Sequence, residues 1–302
     1  MKNQRLAMLS GLGAVLLWST VATAFKLTLG YYTPLQMLLM ACLTSIGVLA
    51  LILSVQGRLA GVFRLSRRQY LQSLALGLIN PFLYYLLLFG AFDRLPAQEA
   101  QPINYTWALV LAYLSVPFLG HTLRVTDILA GLVCYGGVVV IATRGNLSDL
   151  SFSDPVGVAL AIASTLVWAS YWILATRDRR EPVAGLLLNF LFGLPFIFAI
   201  TWWQDGLPPL ASAGFAGSLY VGTFEMGLAF VLWSRAMKLA TNTARVSNLI
   251  FISPFLSLVF IYLILGEVIL ASTWVGLILI VAGLWVQQSG SKRTGAGNVA
   301  ND

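Results

Sequence analysis

The sequence predicts an all-α integral membrane protein with ten transmembrane helices in two inverted five-helix repeats. Of its 302 residues, 59% are hydrophobic and 10% are charged, with a mean hydropathy of +0.85, which is too apolar for a soluble domain. The chain also repeats itself: AVLLWS at 14–19 returns as TLVWAS at 165–170, and FLGH at 118–121 returns as ILGE at 264–267. Since each copy holds an odd number of apolar spans, the second copy must enter the membrane from the opposite side, an arrangement typical of secondary transporters.

Ten apolar segments are long enough to cross a hydrocarbon core of about 30 Å, which requires roughly 20 helical residues. The predicted spans are 6–28, 34–55, 70–92, 97–118, 125–143, 155–176, 182–204, 212–236, 243–265 and 271–289. The connections between them are short, which leaves little room for a domain outside the membrane. We therefore expect the first repeat at 1–147, the second repeat at 148–290 and a disordered cytoplasmic tail at 291–302.

The positive charge of the chain follows its topology. The net charge is +7, and with the N-terminus inside, only Lys26, Arg94 and Arg144 of the 18 lysines and arginines fall on the outer side. Such a distribution is the positive-inside pattern, which places both termini in the cytoplasm. The basic composition is therefore not a signal for nucleic-acid binding.

The thiols and the histidine give no sign of a disulfide, a metal site or a cofactor. Cys42 and Cys134 lie inside apolar spans without the CxxC spacing of metal sites, and His121 is the sole histidine. We expect neither a bound metal nor a cofactor.

Two polar residues lie at equivalent depths in equivalent spans of the repeats. Aligning Ala91 with Ala236 sets Asn80 in span three opposite Glu225 in span eight. A charged side chain at the membrane centre costs about 2.5–3.5 kcal/mol on insertion scales, so an intramembrane acid requires an explanation. Glu225 either lines the transport pathway, where it titrates a proton or binds an amine, or it is hydrogen-bonded and ties helices together.

The tryptophans divide into two groups. Those at or near span ends fit an interfacial belt: Trp202, Trp203, Trp233, Trp274 and Trp285. Trp18 and Trp168 occupy matching positions within the first span of each repeat, so a pseudo-twofold axis brings them to related places around one cavity. Trp172 shares a helix face with Trp168 because the two are four residues apart.

Span three adds Tyr84 one turn after Asn80, and span four carries Tyr105 and Trp107. Together with the residues above, they form a set of candidate substrate-binding residues. The set comprises Trp18, Asn80, Tyr84, Tyr105, Trp107, Trp168 and Glu225. A cavity with several rings and a few polar groups suits a flat apolar ligand with a polar end. The same rings could also hold a cation by cation–π attraction.

The last span of each repeat has a smooth face. Ala130 and Gly137 are seven residues apart in span five, and Gly276 and Gly283 repeat that spacing in span ten. Small residues at such spacing allow helices to approach closely. The two spans are expected to contact each other or a second subunit, so both a monomer and a homodimer stay open.

The chain resembles the drug/metabolite transporter superfamily, specifically its ten-helix exporters built from two EamA repeats. The resemblance rests on the mid-span tryptophans of spans one and six, on Leu265-Gly266-Glu267, and on residues 104–111, NYTWALVL, which are similar to the Asn-Tyr-x-Trp-Pro-Leu stretch of the aromatic amino acid exporters. Two residues depart from the family pattern: Ala108 replaces the proline, and His121 stands where Glu is common.

The resemblance implies a carrier of the bacterial inner membrane that exports aromatic amino acids or similar small metabolites by alternating access. Tyr105 and Trp107 belong to the matched stretch and are implied as site residues. The expected partners are the small-molecule substrate and the lipid bilayer.

Three alternative functions would each require a particular set of residues within the spans. An exporter of hydrophobic cations or drugs would use the same rings together with Glu225. A carrier of sugar phosphates would need several cations within the spans, where Lys26 is the main candidate. A membrane-embedded enzyme would need acids or histidines clustered at one depth, and the isolated residues of this chain argue against it.

Overall fold

The computed structural model describes residues 2–120, 122, 124–148, 152–175 and 177–295. Within these ranges all regular secondary structure is helical, and nine helices are long and apolar enough to cross a membrane, joined by a shorter apolar helix at Ala271–Gln287. The ten helices are α1 (Gln4–Leu29), α2 (Pro34–Val55), α3 (Arg67–Arg94), α4 (Ala97–Leu119), α5 (Val125–Ala142), α6 (Pro155–Ala175), α7 (Pro182–Gln204), α8 (Ala213–Leu239), α9 (Arg245–Leu265) and α10 (Ala271–Gly295). The predicted ten-helix fold is confirmed.

The last helix reaches into the segment that we expected to be a tail. Residues 291–295 of that segment belong to α10, which ends at Gly295. The rest of that segment, 296–302, lies outside the described residues, as does His121.

Helix packing follows the inverted repeat. The most extensive contact between helices pairs α5 with α10, and other large contacts pair α1 with α8, α3 with α6, α1 with α9, α2 with α8, α4 with α6 and α3 with α7. In the inverted repeat, α1 corresponds to α6, α3 to α8 and α4 to α9. The α1–α8 contact therefore has the α6–α3 contact as its counterpart, and the α4–α6 contact has the α9–α1 contact. The two repeats are therefore interleaved, with α1, α3, α4, α6, α8 and α9 around the centre.

Helices α5 and α10 pack on each other through their glycines. A Cβ atom added to Gly137 would lie 2.6 Å from the carbonyl oxygen of Gly276, and one added to Gly283 would lie 2.8 Å from the carbonyl oxygen of Ala130. Such approach is possible only without side chains, so the smooth faces predicted for these helices meet each other.

The third helix of each repeat is irregular at the same depth. In α3 the backbone of Asn80 is extended, with φ −141° and ψ 113°, directly before Pro81, whose nitrogen lacks a hydrogen-bond donor. In α8 the turns over Val221–Leu228 are π-helical, and these residues include Glu225. Irregular turns of this kind redirect side chains and occur frequently at functional sites.

Candidate functional site

A cavity of about 290 Å³ lies at the centre of the bundle, enclosed mainly by α1, α3, α4, α6, α8 and α9. Six of the seven predicted site residues line it, namely Trp18, Tyr84, Tyr105, Trp107, Trp168 and Glu225. They come from both repeats, as the symmetry argument requires. Their contact with a substrate stays a prediction.

The ring of Trp168 contacts several of the rings in and beside the cavity, which together we call the aromatic wall. Its ring stacks on that of Tyr84 with centroids 4.4 Å apart and planes at 22°, and on that of Tyr171 at 5.4 Å and 15°. The ring of Phe230 approaches it edge-on at 5.8 Å. The indole is only 7% exposed, so its orientation is fixed by packing before any ligand arrives.

A second group of rings faces this wall from α1 and α8. The ring of Trp18 lies 5.4 Å from that of Trp233 and 6.0 Å from that of Phe230. We assigned Trp233 to the interfacial belt, and that assignment is wrong, because α8 continues to Leu239 and Trp233 faces α1 from a position one and a half turns inside the helix. The other four tryptophans of that group are between 40% and 83% exposed, as expected at an interface.

The carboxylate of Glu225 lines the cavity although the residue is only 7% exposed. The hydroxyl of Tyr85 donates to Oε1 at 3.3 Å, whereas Oε2 has no hydrogen-bond donor. A buried charged oxygen without a donor is costly. This oxygen therefore suits either a proton or a cationic group of a ligand.

The residues at 104–107 attach α4 to its neighbours. The hydroxyl of Tyr105 donates to Oγ of Ser253 on α9 at 2.7 Å, and Nδ2 of Asn104 donates to Oγ of Ser164 on α6 at 3.1 Å. Ser253 also lies within 3.1 Å of the hydroxyl of Ser19 on α1. These bonds hold the two aromatic residues of the segment in place on the cavity wall.

Asn80, the seventh predicted residue, lies outside the wall of this cavity. It is fully buried at the break in α3, where its side chain is directed toward the hydroxyl of Tyr171 and forms no hydrogen bond of normal geometry. Asn80 and Glu225 each lie in an irregular stretch of the third helix of their repeat, but only Glu225 lines the central cavity.

Sequence reasoning missed several residues of the cavity wall. They include Trp172, Phe230, Trp233, Gln101 and Phe25. Trp172 carried a usable signal, since it lies one helical turn after Trp168. Phe230 carried none, because a single phenylalanine in an apolar span does not stand out in the sequence.

The cavity is closed toward the end of the bundle opposite the N-terminus of α1. The ring of Phe25 packs on those of Phe89 at 4.9 Å and Phe92 at 5.2 Å. The ammonium of Lys26 donates to the carbonyl oxygens of Phe92 at 2.8 Å and Leu95 at 3.1 Å. Lys26 thus stabilises the C-terminal end of α3 and is directed at backbone carbonyls instead of the cavity.

The Leu265-Gly266-Glu267 motif ties the two repeats at that same end. Gly266 has a left-handed φ of +68°, which reverses the chain after α9. The carboxylate of Glu267 then accepts from the backbone N–H groups of Ala97 at 3.0 Å and Gln98 at 3.2 Å, and so caps the N-terminus of α4. The motif has a structural role that its position in a loop did not reveal.

Two inverted repeats around one ring-lined cavity define a polytopic membrane transporter. The family model described as "EamA-like transporter family" matches residues 5–143 and again residues 155–287. The chain belongs to this family, and each match covers one five-helix repeat.

Two relatives of the chain are named as transporters. It is 31% identical to the "Aromatic amino acid exporter YddG" of Ancylobacter novellus over 77% of this chain and 79% of that protein. It is 25% identical to the "Uncharacterized transporter YvbV" of Bacillus subtilis over 92% of this chain and 90% of that protein. A solved crystal structure with 22% identity has a TM-score of 0.67 and covers 97% of this chain and 99% of its own, which shows the shared fold.

Proposed function

We propose that this chain is a secondary transporter that exports aromatic amino acids and related small metabolites across the bacterial inner membrane. The observation that carries the proposal is the composition of the central cavity, where a wall of stacked rings surrounds one carboxylate and the amides of Gln101 and Asn104. An aromatic amino acid has the matching parts: a flat ring, an ammonium group and a carboxylate. The name of the 31% identical relative points to the same substrate class.

The energetics fit a ligand of this kind. Each favourable ring pair contributes about 0.5–1.5 kcal/mol beyond apolar burial, so contact with two or three rings supplies a useful fraction of a micromolar to millimolar affinity. The ammonium group would lie against Oε2 of Glu225, which has no donor of its own. The side-chain amides of Gln101 and Asn104 would donate to the carboxylate.

Cavity size supports a small substrate. Sites for drug-sized molecules usually enclose about 300–1,000 Å³. The central cavity, at about 290 Å³, lies at the lower end of that range and suits a single amino acid.

A hydrophobic cation is the second candidate substrate. The observation that favours it is the partnerless Oε2 of Glu225 among aromatic rings, which is an arrangement suited to an amine or a quaternary ammonium. A sugar phosphate is disfavoured, since no lysine or arginine lines the cavity in the described part of the chain and Lys26 is directed at backbone carbonyls.

Export would proceed by alternating access. The rings of Phe25, Phe89 and Phe92 close one end of the pathway. Because all three lie in the first repeat, opening that end would require α1 to move away from α3 within that repeat while the two repeats rock against each other. The positive-inside distribution supports a cytoplasmic position for both termini, so substrate would enter from the cytoplasm. A monomer and a homodimer are both compatible with this cycle.

Transport in liposomes tests the proposal directly. Purified protein is reconstituted, and uptake and efflux of labelled phenylalanine, tryptophan, threonine and a quaternary amine are measured with and without a pH gradient. Saturable movement of phenylalanine and tryptophan with little movement of threonine is the expected result. Movement of the quaternary amine alone would replace the proposal with the cation exporter.

A further inference from the structure

Two more cavities lie between the central cavity and the basic end of the bundle, which we define as the end that carries the N-terminus of α1. A lateral cavity of about 400 Å³ shares Trp172, Phe230, Trp233 and Met237 with the central cavity. One layer of side chains therefore separates these two spaces.

A surface groove of about 630 Å³ continues the series outward. It lies between the first turns of α3 and the connection from α6 to α7, and it shares Leu76, Asp178 and Arg180 with the lateral cavity. Each of the three spaces thus borders the next across a few side chains.

The groove is strongly basic. Arg68, Arg177 and Arg179 line it, and its one lining acid, Asp178, is already paired with Arg180. Gln69 and Gln72 add side-chain amides to the same wall. Guanidinium groups in this number attract and hydrogen-bond carboxylates, often with two bonds to one carboxylate.

The pair Asp178–Arg180 forms the partition between the groove and the lateral cavity. Nη2 of Arg180 donates to Oδ2 of Asp178 at 2.6 Å, and Nε donates to Oδ1 at 2.8 Å. The two side chains are only 6% and 13% exposed. Burial by itself raises the pKa of Asp178, but the hydrogen bonds and charge of Arg180 outweigh it and hold the pKa below its usual value, so the pair is ionised at neutral pH.

The partition also connects the repeats. Nη1 of Arg180 hydrogen-bonds to the hydroxyl of Ser73 on α3, and Nη2 lies 3.4 Å from Oδ1 of Asn189 on α7. Beyond the partition, the lateral cavity offers the rings of Tyr171 and Trp172. A ligand that crosses it would therefore meet ionic groups first and rings second.

We propose that the groove, the Asp178–Arg180 pair and the lateral cavity form a loading portal for substrates that carry a carboxylate, leading from the basic end to the central cavity. The inference rests on the proposed function and adds a specificity element to it. The carboxylate of the substrate binds the groove arginines and then replaces Asp178 on Arg180, while the displaced Asp178 receives the ammonium group. The ring passes onto Trp172 and, past Trp233, into the central cavity.

The test compares two triple variants of the full chain in vesicles whose basic end faces the added substrate. The first, R68Q/R177Q/R179Q, removes the groove charge. The matched control, R5Q/R58Q/R64Q, removes three exposed arginines of the same end that do not line the groove. Size-exclusion profiles establish that both variants fold, and both lower the positive charge of that end equally.

Phenylalanine and phenethylamine, which has the same ring but no carboxylate, are the probes. We expect R68Q/R177Q/R179Q to raise the KM for phenylalanine roughly three- to tenfold with kcat changed less than about twofold, while its KM for phenethylamine stays at the wild-type value. The control variant should keep the wild-type KM for both probes. If the wild type transports phenylalanine and both triple variants have the same KM for it, the portal is wrong, but the proposed function is unaffected. Absence of phenylalanine movement by the wild type would overturn the proposed function and the portal together.

Discussion

The ring of Trp168 on α6 stacks on that of Tyr84 on α3 at 4.4 Å, and so joins the second repeat to the first on the wall of the central cavity. Tyr84 follows the break in α3 by less than two turns, and Trp168 lies at the position that repeats Trp18. Because the two helices belong to different repeats, any rocking motion between repeats must slide or separate these rings. The stack therefore couples the shape of the site to the arrangement of the two halves.

Replacing Trp107 with alanine should weaken the binding of aromatic substrates. Trp107 lines the cavity and stacks on Trp172 with centroids 6.5 Å apart and planes at 21°. Loss of one ring contact of about 0.5–1.5 kcal/mol corresponds to a KM for phenylalanine raised roughly two- to twelvefold. Uptake kinetics in proteoliposomes measure this change.

Trp203→Ala is the matched control, because Trp203 is 83% exposed at the far end of α7. The control should keep the wild-type KM. Equal effects of the two substitutions would mean that Trp107 contributes to stability in general and not to the site.

Glu225→Gln should separate the two candidate substrate classes. Glutamine keeps the shape and an acceptor oxygen but removes the negative charge, on which a cation without other charged groups depends. Binding of a quaternary amine should be abolished, whereas phenylalanine, which also has its carboxylate as an anchor, should keep most of its affinity. Displacement of labelled ligand from purified protein measures both, and unchanged amine binding would exclude Glu225 as a cation site.

The local sequence pattern was sufficient to predict the membrane spans and some of the residues that line the cavity. Trp18 and Trp168 could be found because the repeat aligns them and because mid-span tryptophan is unusual. Trp107 could be found because it belongs to the stretch that resembles the aromatic amino acid exporters. Trp233 was misassigned because the distance from a span end was counted on the sequence, whereas α8 extends farther than predicted. The direction of Asn80 depends on one extended residue, which periodicity does not encode.

Contacts between residues far apart in the chain could not be predicted from the sequence. Glu267 caps a helix that begins 170 residues earlier in the chain, and no local rule relates the two. In an almost uniformly apolar chain, the face that a helix turns inward is decided by packing with its neighbours.

Removing the carboxylate of Glu267 should destabilise the fold. In Glu267→Ala the N–H groups of Ala97 and Gln98 lose their acceptor, and loss of a helix cap costs about 0.5–2 kcal/mol. Thermal unfolding in detergent should show a lower midpoint than for the wild type. Asp93→Ala, at an exposed position near the same end, should leave the midpoint unchanged, and a similar loss in both would argue against the cap.

Enlarging Gly137 should disrupt the packing of α5 on α10. In Gly137→Leu the new side chain would meet the carbonyl oxygen of Gly276, and overpacking of this kind costs about 1–3 kcal/mol. Gly136→Leu is an ideal comparison, since a Cβ at the neighbouring Gly136 has nothing within 4 Å. Thermal stability should fall in the first variant alone, and equal losses would show that leucine is poorly tolerated anywhere on this helix.

The stability conferred by the Asp178–Arg180 pair should disappear in acid. The pKa of Asp178 lies below its usual value in the folded protein, mainly because the hydrogen bonds and charge of Arg180 outweigh the effect of burial. A carboxyl with a lowered folded-state pKa stabilises the fold fully above its unfolded pKa and loses that contribution as the pH falls through the folded pKa. The difference in unfolding midpoint between the wild type and Asp178→Asn should therefore be constant from neutral pH down to about pH 5 and shrink below about pH 4. Asp93→Asn, at an exposed position, serves as the control. A difference for Asp178→Asn that persists undiminished at about pH 3 would show that the stabilisation does not depend on the ionised carboxylate.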